Sequence, residues 1–137
     1  MNAQRIGPLV GDVMTEEPVV VHQDVSLPEA AHLMEIHHVS GLPVVDGIGG
    51  LVGVLSQTDL IRARTTEALW SKWPGLRVRH LMTAPALTVG VEATLVDAAR
   101  AMERNRVHRL VVTGADGQVP VGILSMSDLV RLMGELR

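Results

Sequence analysis

Apolar positions change their spacing in a fixed order along this chain, and they do so twice. Leu27, Ala30, Ala31 and Met34 stand at i, i+3, i+4 and i+7, which gathers them on one helical face, and Leu95, Ala98, Ala99 and Met102 repeat the spacing. Ahead of each set lies a short apolar run, residues 19–21 and 86–89, that reads as a strand. Behind each lie two more. Residues 42–45 and 51–55 flank the turn Asp46-Gly47-Ile48-Gly49-Gly50, and residues 110–113 and 119–124 flank Gly114-Ala115-Asp116-Gly117, so each pair predicts a hairpin. A last helix is expected after Thr58 and again after Ser127. The pattern predicts β-α-β-β-α, twice.

The letters repeat as well as the pattern. Val13-Met14-Thr15 followed by Pro18 returns as Leu81-Met82-Thr83 followed by Pro85, and the helical set returns at an offset of 68 residues (27 to 95, 34 to 102). Val39, Leu42 and Val44 match Val107, Leu110 and Val112, and Gly53-Val54-Leu55-Ser56 matches Gly122-Ile123-Leu124-Ser125 after a single insertion. Helix starts are marked by Ser26 with Glu29, a capping box, and by Thr94 with Asp97, its aspartate variant. One unit alone would expose a sheet face and apolar helix stripes. The copies are therefore expected to pack sheet to sheet around a shared core, as an α/β (α+β) module with pseudo-twofold symmetry. The expected division is 8–65 for the first copy, 66–76 for a helix extension and linker, and 77–137 for the second. Trp70 and Trp73, in the connecting stretch, are expected to pack on the flank or against a second subunit.

Composition narrows the function. Of 137 residues 47% are hydrophobic but 1% are aromatic, so the core must be aliphatic and no stacking platform for bases exists. A net charge of −3 lacks the basic excess that a phosphate backbone requires, which argues against nucleic acid as a partner. No cysteine is present, excluding disulfides, thiolate metal sites and a cysteine nucleophile. The opening residues show no signal-type run, and no stretch approaches the about 18 apolar residues of a membrane span. The expectation is a cytoplasmic protein without a membrane partner.

Chemistry concentrates where the third strand of each copy meets the last helix. The chain runs Ser56-Gln57-Thr58-Asp59 in one copy and Ser125-Met126-Ser127-Asp128 in the other. A strand-to-helix junction offers free N–H groups and the positive end of the helix dipole to an anion. An aspartate there can accept from two ribose hydroxyls. The same four residues also make an ordinary helix cap, and both readings stand on the residues alone.

In this ordered set the chain resembles the CBS (cystathionine-beta-synthase) domain family, in the tandem arrangement called a Bateman module. The resemblance rests on Met14-Thr15-x-x-Pro18, the Ser26 helix, the run from Val39 through Ser40-Gly41 to Asp46, and the Gly-h-h-Ser-x-x-Asp junction. The second copy contributes Met82-Thr83, the Thr94 helix, Val107-His108-Arg109 and its own junction. The resemblance covers nearly all of residues 10–135. It implies two clefts between the copies. One would be lined by Met82, Thr83, Leu87, Val107, His108 and Arg109 with Ser56, Thr58 and Asp59; the other by Met14, Thr15, Val19, Val39, Ser40 and Gly41 with Ser125, Ser127 and Asp128. It implies an adenine nucleotide (AMP, ADP or ATP, with S-adenosylmethionine or NAD as further candidates), no catalytic cofactor, a homodimer and an unidentified effector protein. Because Arg109 has no counterpart in Ser40-Gly41, the cleft assigned to Asp59 and Arg109 is expected to take the more phosphorylated ligand.

Other candidates carry less. The histidines at 22, 32, 37, 38 and 80 lack a partner spacing with acidic support, so no metal site is expected. Gly47, Gly49 and Gly50 sit between strands and form a turn rather than a dinucleotide loop. No nucleophile elbow accompanies Ser125, Asp128 and His108, and the chain is read as a regulator rather than an enzyme. The alternative from another class is a ligand-free CBS-pair scaffold for protein assembly.

Overall fold

The structure, a computed structural model, describes residues 8–135. Readings that touch residues 1–7 and 136–137 lie outside the described residues. In chain order the elements are α1 (Val10–Val13), β1 (Thr15–Glu16), β2 (Val21–His22), α2 (Leu27–His37), β3 (Gly41–Val45), β4 (Leu51–Ser56) and α3 (Gln57–Thr65). There follow α4 (Glu67–Trp70), a 3-10 turn (Trp73–Gly75), α5 (Val78–Leu81), β5 (Thr88–Gly90), α6 (Leu95–Asn105), β6 (Arg109–Thr113), β7 (Pro120–Ser125) and α7 (Met126–Glu135). The predicted β-α-β-β-α order is present in both copies, as β2-α2-β3-β4-α3 and β5-α6-β6-β7-α7. No helix among the described residues is long and apolar enough to cross a membrane.

Local chemistry sets the ends of the long helices. The Ser26 hydroxyl accepts from Glu29 N at 3.3 Å and the Thr94 hydroxyl from Asp97 N at 3.1 Å, satisfying one free donor of each first turn. The reciprocal arm expected from Glu29 to the Ser26 backbone is not made. Both helices end on a residue in the left-handed region, His38 (φ 53°) and Arg106 (φ 54°). Their buried faces are the predicted ones: Leu27, Ala30 and Met34 in α2, Ala98 and Met102 in α6.

The chain divides into two compact units, and the opening segment of each repeat lies in the unit of the other repeat. One unit holds residues 19–86. Its sheet has the order β2-β3-β4, with β2 parallel to β3 and β3 antiparallel to β4. Residues 76–83 belong to it through bonds from Leu27 N to Leu76 O (2.9 Å), Val78 N to Val25 O (2.8 Å), and a reciprocal pair between Val54 and Thr83 at 2.9 Å each. Leu27, Leu42, Leu55, Val44 and Val78 are fully buried in its core.

The other unit joins residues 8–18 to residues 87–135. Val10 N and Gly11 N donate to Ala93 O and Val91 O at 2.9 Å, and β1 pairs with β7 in the sheet order β1-β7-β6-β5. Its core gathers Val10, Met102, Leu110, Val112 and Leu124. A glycine makes each opening segment fit. A Cβ on Gly53 would stand 2.7 Å from Thr83 O, and one on Gly122 would stand 2.9 Å from Thr15 O and against the Met14 sulfur. The repeated Met-Thr segment and the repeated Gly-h-h-Ser strand therefore interlock by close backbone approach.

Between the copies, Trp73 packs against the core of residues 19–86. Trp70 stays exposed, its ring 5.4 Å from that of Trp73 and covered by the Arg64 guanidinium at 4.7 Å. That is the flank packing expected of Trp73, with a cation–π contact for Trp70.

Candidate functional site

The β7–α7 junction is built by a complete capping box. Asp128 N donates to Ser125 Oγ at 3.1 Å, and Ser125 N donates to Asp128 Oδ2 at 2.8 Å. The other carboxylate oxygen, Oδ1, accepts from Arg131 Nη2 at 2.8 Å. Asp128 is buried at 7% exposure, whereas the Arg131 side chain is 63% exposed.

The β4–α3 junction repeats the box with more bonds. Asp59 N donates to Ser56 Oγ at 3.2 Å, and Asp59 Oδ2 accepts from Ser56 N at 2.9 Å and from Ser56 Oγ at 3.0 Å. Asp59 Oδ1 accepts from Arg62 Nη2 at 3.1 Å and from Thr83 Oγ1 at 3.4 Å. Arg62 also reaches Leu81 O at 3.5 Å. An ionised carboxylate has about four acceptor positions. Asp59 has all of them taken within its own unit, and Asp128 has two.

An open pocket of about 540 Å³ lies at the β7–α7 junction, lined by His108, Arg109, Ser125, Met126, Ser127, Val130 and Arg131. The backbone explains the grouping. Arg109 stands opposite Ser125 in the β6–β7 register, and Met126 N donates to His108 O at 2.7 Å. Two guanidinium groups, an imidazole and two hydroxyls thus face one space at the N-terminus of a helix of ten residues, with Met126 and Val130 as an apolar wall. This arrangement suits an anionic group joined to an apolar body.

The structure sorts the sequence-predicted residues by unit. Met14, Thr15, Leu87, Val107, His108, Arg109, Ser125, Ser127 and Asp128 fall in the unit of residues 87–135, and Val19, Val39, Ser40, Gly41, Ser56, Thr58, Asp59, Met82 and Thr83 fall in the unit of residues 19–86. Each cleft implied by the resemblance would draw on both. Within the first unit, Met14 and Thr15 lie against Gly122 and Val107 packs on the core, while Leu87 O accepts from Val111 N at 3.3 Å and its side chain is exposed. His108 and Arg109, which the resemblance assigns opposite Ser125 and Ser127, share the pocket with them. In the second unit Gly41 stands opposite Ser56, Ser40 O accepts from Gln57 N at 2.9 Å, and Val19 and Val39 pack against the core.

Sequence reasoning missed Arg62, Arg131, Met126 and Val130. The first two had a signal, since each stands three residues after its aspartate in a helix, a spacing at which side chains meet. Among the described residues no cluster could hold a metal ion.

Comparison with known proteins places these features in a family. Homoserine O-acetyltransferase of Methanococcoides burtonii is 30% identical over 91% of this chain, which spans 24% of that protein's length, so the likeness covers about a quarter of it. The crystal structure of CBSX2 of Arabidopsis thaliana in complex with AMP superposes with a TM-score of 0.82 at 38% identity, covering 94% of this chain and 98% of that one. The CBS domain pair of protein MJ0100, in complex with 5′-methylthioadenosine and S-adenosyl-L-methionine, superposes with a TM-score of 0.83 at 27% identity, covering 93% and 97%. The family model for the CBS domain matches residues 10–65 and again 78–135, and the chain therefore belongs to the CBS domain family as a tandem pair.

Proposed function

We propose that this CBS pair is a regulatory module that binds an adenine nucleotide and transmits its occupancy to a partner protein. The observation that carries the reading is the pocket in which Arg109, Arg131, His108, Ser125 and Ser127 converge beside the buried Asp128. Guanidinium groups and a helix N-terminus favour phosphate, the aspartate suits ribose hydroxyls, and Met126 and Val130 offer apolar contact to a base. AMP bound by CBSX2 and methylthioadenosine and S-adenosylmethionine bound by MJ0100 share the adenosine moiety. The cations that line this pocket favour the phosphorylated members of that class.

The resemblance groups Ser56, Thr58 and Asp59 with Met82, Thr83, Leu87, Val107, His108 and Arg109, but the unit that holds Asp59 has Ser40 and Gly41 where the other copy has His108 and Arg109. Arg109 shares its pocket with Ser125 and Ser127, so we assign the phosphate-preferring site to the Asp128 junction rather than to Asp59. Binding is the reading adopted because the groups that line the pocket, two guanidinium groups, an imidazole and two hydroxyls, are suited to hold an anion. Transmission requires a ligand that binds two arrangements of the module unequally. A cytoplasmic homodimer is part of the proposal, with Ile61 on α3 and Met133 on α7 each offering exposed apolar surface for self-association.

The test is a thermal-shift panel of AMP, ADP, ATP, S-adenosylmethionine, methylthioadenosine and NAD at millimolar concentration. A ligand held by the native state at a hundred times its Kd adds about 2.7 kcal/mol of stability. Nucleotides are expected to raise the melting temperature more than the phosphate-free adenosyl compounds. No shift with any of them would favour the ligand-free scaffold.

A further inference from the structure

Asp128 does not itself line the pocket that its junction builds; Arg131 does. The Arg131 guanidinium holds Asp128 Oδ1 at 2.8 Å while most of its side chain lies in solvent. Ribose hydroxyls seeking this carboxylate therefore meet the guanidinium first. We propose that Arg131 is a phosphate-selecting exchange residue: it occupies Asp128 in the empty pocket and leaves it for the phosphate when a nucleotide enters. The proposal rests on the nucleotide reading above and says which adenosyl compounds the pocket accepts.

The exchange is balanced only for a phosphorylated ligand. A nucleotide brings hydroxyls that replace Arg131 on the carboxylate and an anion that receives the released guanidinium. Adenosine brings the hydroxyls alone, so where they take the place of Arg131 on Oδ1 a charge-assisted bond is broken and Arg131 is left without an anion. The first copy offers a contrast within the same chain. Arg62 is held by Asp59 at 3.1 Å and by Leu81 O at 3.5 Å, and Asp59 is further occupied by Thr83 Oγ1. Arg131 has Asp128 as its one polar partner among the described residues. It is the arginine free to move.

Calorimetric titration of the full chain with AMP and with adenosine tests this, before and after Arg131→Gln. The unaltered protein is expected to bind AMP at least about tenfold more tightly than adenosine. Arg131→Gln should weaken AMP by about tenfold to a hundredfold, the range of one charge-assisted hydrogen bond, while adenosine binding stays level or tightens because its carboxylate is no longer contested. Arg131→Lys, which keeps the charge but not the planar fork, should recover part of the AMP affinity. An equal loss for both ligands in Arg131→Gln would assign Arg131 a merely structural role and overturn the proposal, as would unchanged AMP affinity. Failure of the unaltered chain to bind either ligand would overturn the nucleotide reading itself, and the exchange with it.

Discussion

Gly122→Ala and Gly90→Ala should change stability in opposite directions, although both glycines lie in strands of one sheet. A Cβ at position 122 would stand 2.9 Å from the Thr15 carbonyl oxygen and against the Met14 sulfur. The sulfur ends a flexible side chain and can yield, but the carbonyl belongs to β1, paired with β7 at Thr15–Ile123 and Glu16–Gly122. Displacing that strand is overpacking, which costs about 1–3 kcal/mol, offset by about 0.4–1 kcal/mol from the less flexible unfolded chain. The net loss is about 1–2 kcal/mol. A Cβ at Gly90 meets no atom within 4 Å, and Gly90 is not among the glycines of positive φ, so only the gain of about 0.4–1 kcal/mol remains. The two variants should differ by about 2 kcal/mol in urea unfolding, or about 5–8 °C in melting temperature. Adding Met14→Ala to Gly122→Ala should relieve part of the loss in a double-mutant cycle, because the backbone contact with Thr15 persists. A Gly122→Ala protein as stable as the parent, with unchanged urea dependence, would refute the claim that this glycine exists for close approach.

Ser26→Ala and Thr94→Ala each remove one cap bond from equivalent helices, and each should cost about 1 kcal/mol in urea unfolding; a cost confined to one of them would show that the copies are not capped alike. Asp116, in the second hairpin turn, accepts from Gln118 N at 3.0 Å and Val119 N at 3.3 Å, which hold its carboxyl below the ordinary aspartate value. Its folded pKa is lower than its unfolded one, so its contribution is complete above the unfolded value and fades as pH falls through the folded one. An NMR titration placing its midpoint at or above that of an unstructured aspartate would contradict the turn geometry.

The repeat was legible because strand and helix impose different periods on apolar residues. Each predicted strand and helix appeared within a few residues of its expected place, and α2 and α6 bury the positions that their spacing selected. The membership of residues 8–18 was harder to read. Val10 and Met14 are apolar and stand directly before the first copy, yet they complete the core of residues 87–135. Nothing in a hydrophobic period says which of two near-identical cores a segment enters, since both offer the same glycine strand. Gly53 and Gly122 were visible signals of a close approach, but the repeat itself hid the partner: Met14-Thr15 and Met82-Thr83 fit either strand by composition.

The junction chemistry was legible in kind and incomplete in connectivity. Ser-x-x-Asp was read as either a cap or a ligand site, and the structure shows the cap fully formed at both junctions, so the backbone already employs the serine hydroxyl and one carboxylate oxygen. The partners of the second oxygen separate the copies. In the first, Arg62 and Thr83 fill it; in the second, a single exposed arginine holds it and leaves positions on the carboxylate open. Both arginines follow their aspartate by three residues, and sequence alone makes them equivalent. They diverge because the 76–83 segment packs beside the first junction and presents Leu81 O and Thr83 Oγ1 to it, while no such bond from Met14 or Thr15 reaches Asp128 among the described residues. A site duplicated in sequence thus loses its symmetry through a neighbour 24 residues further along the chain. The copy whose aspartate keeps two acceptor positions open is the one equipped to exchange partners.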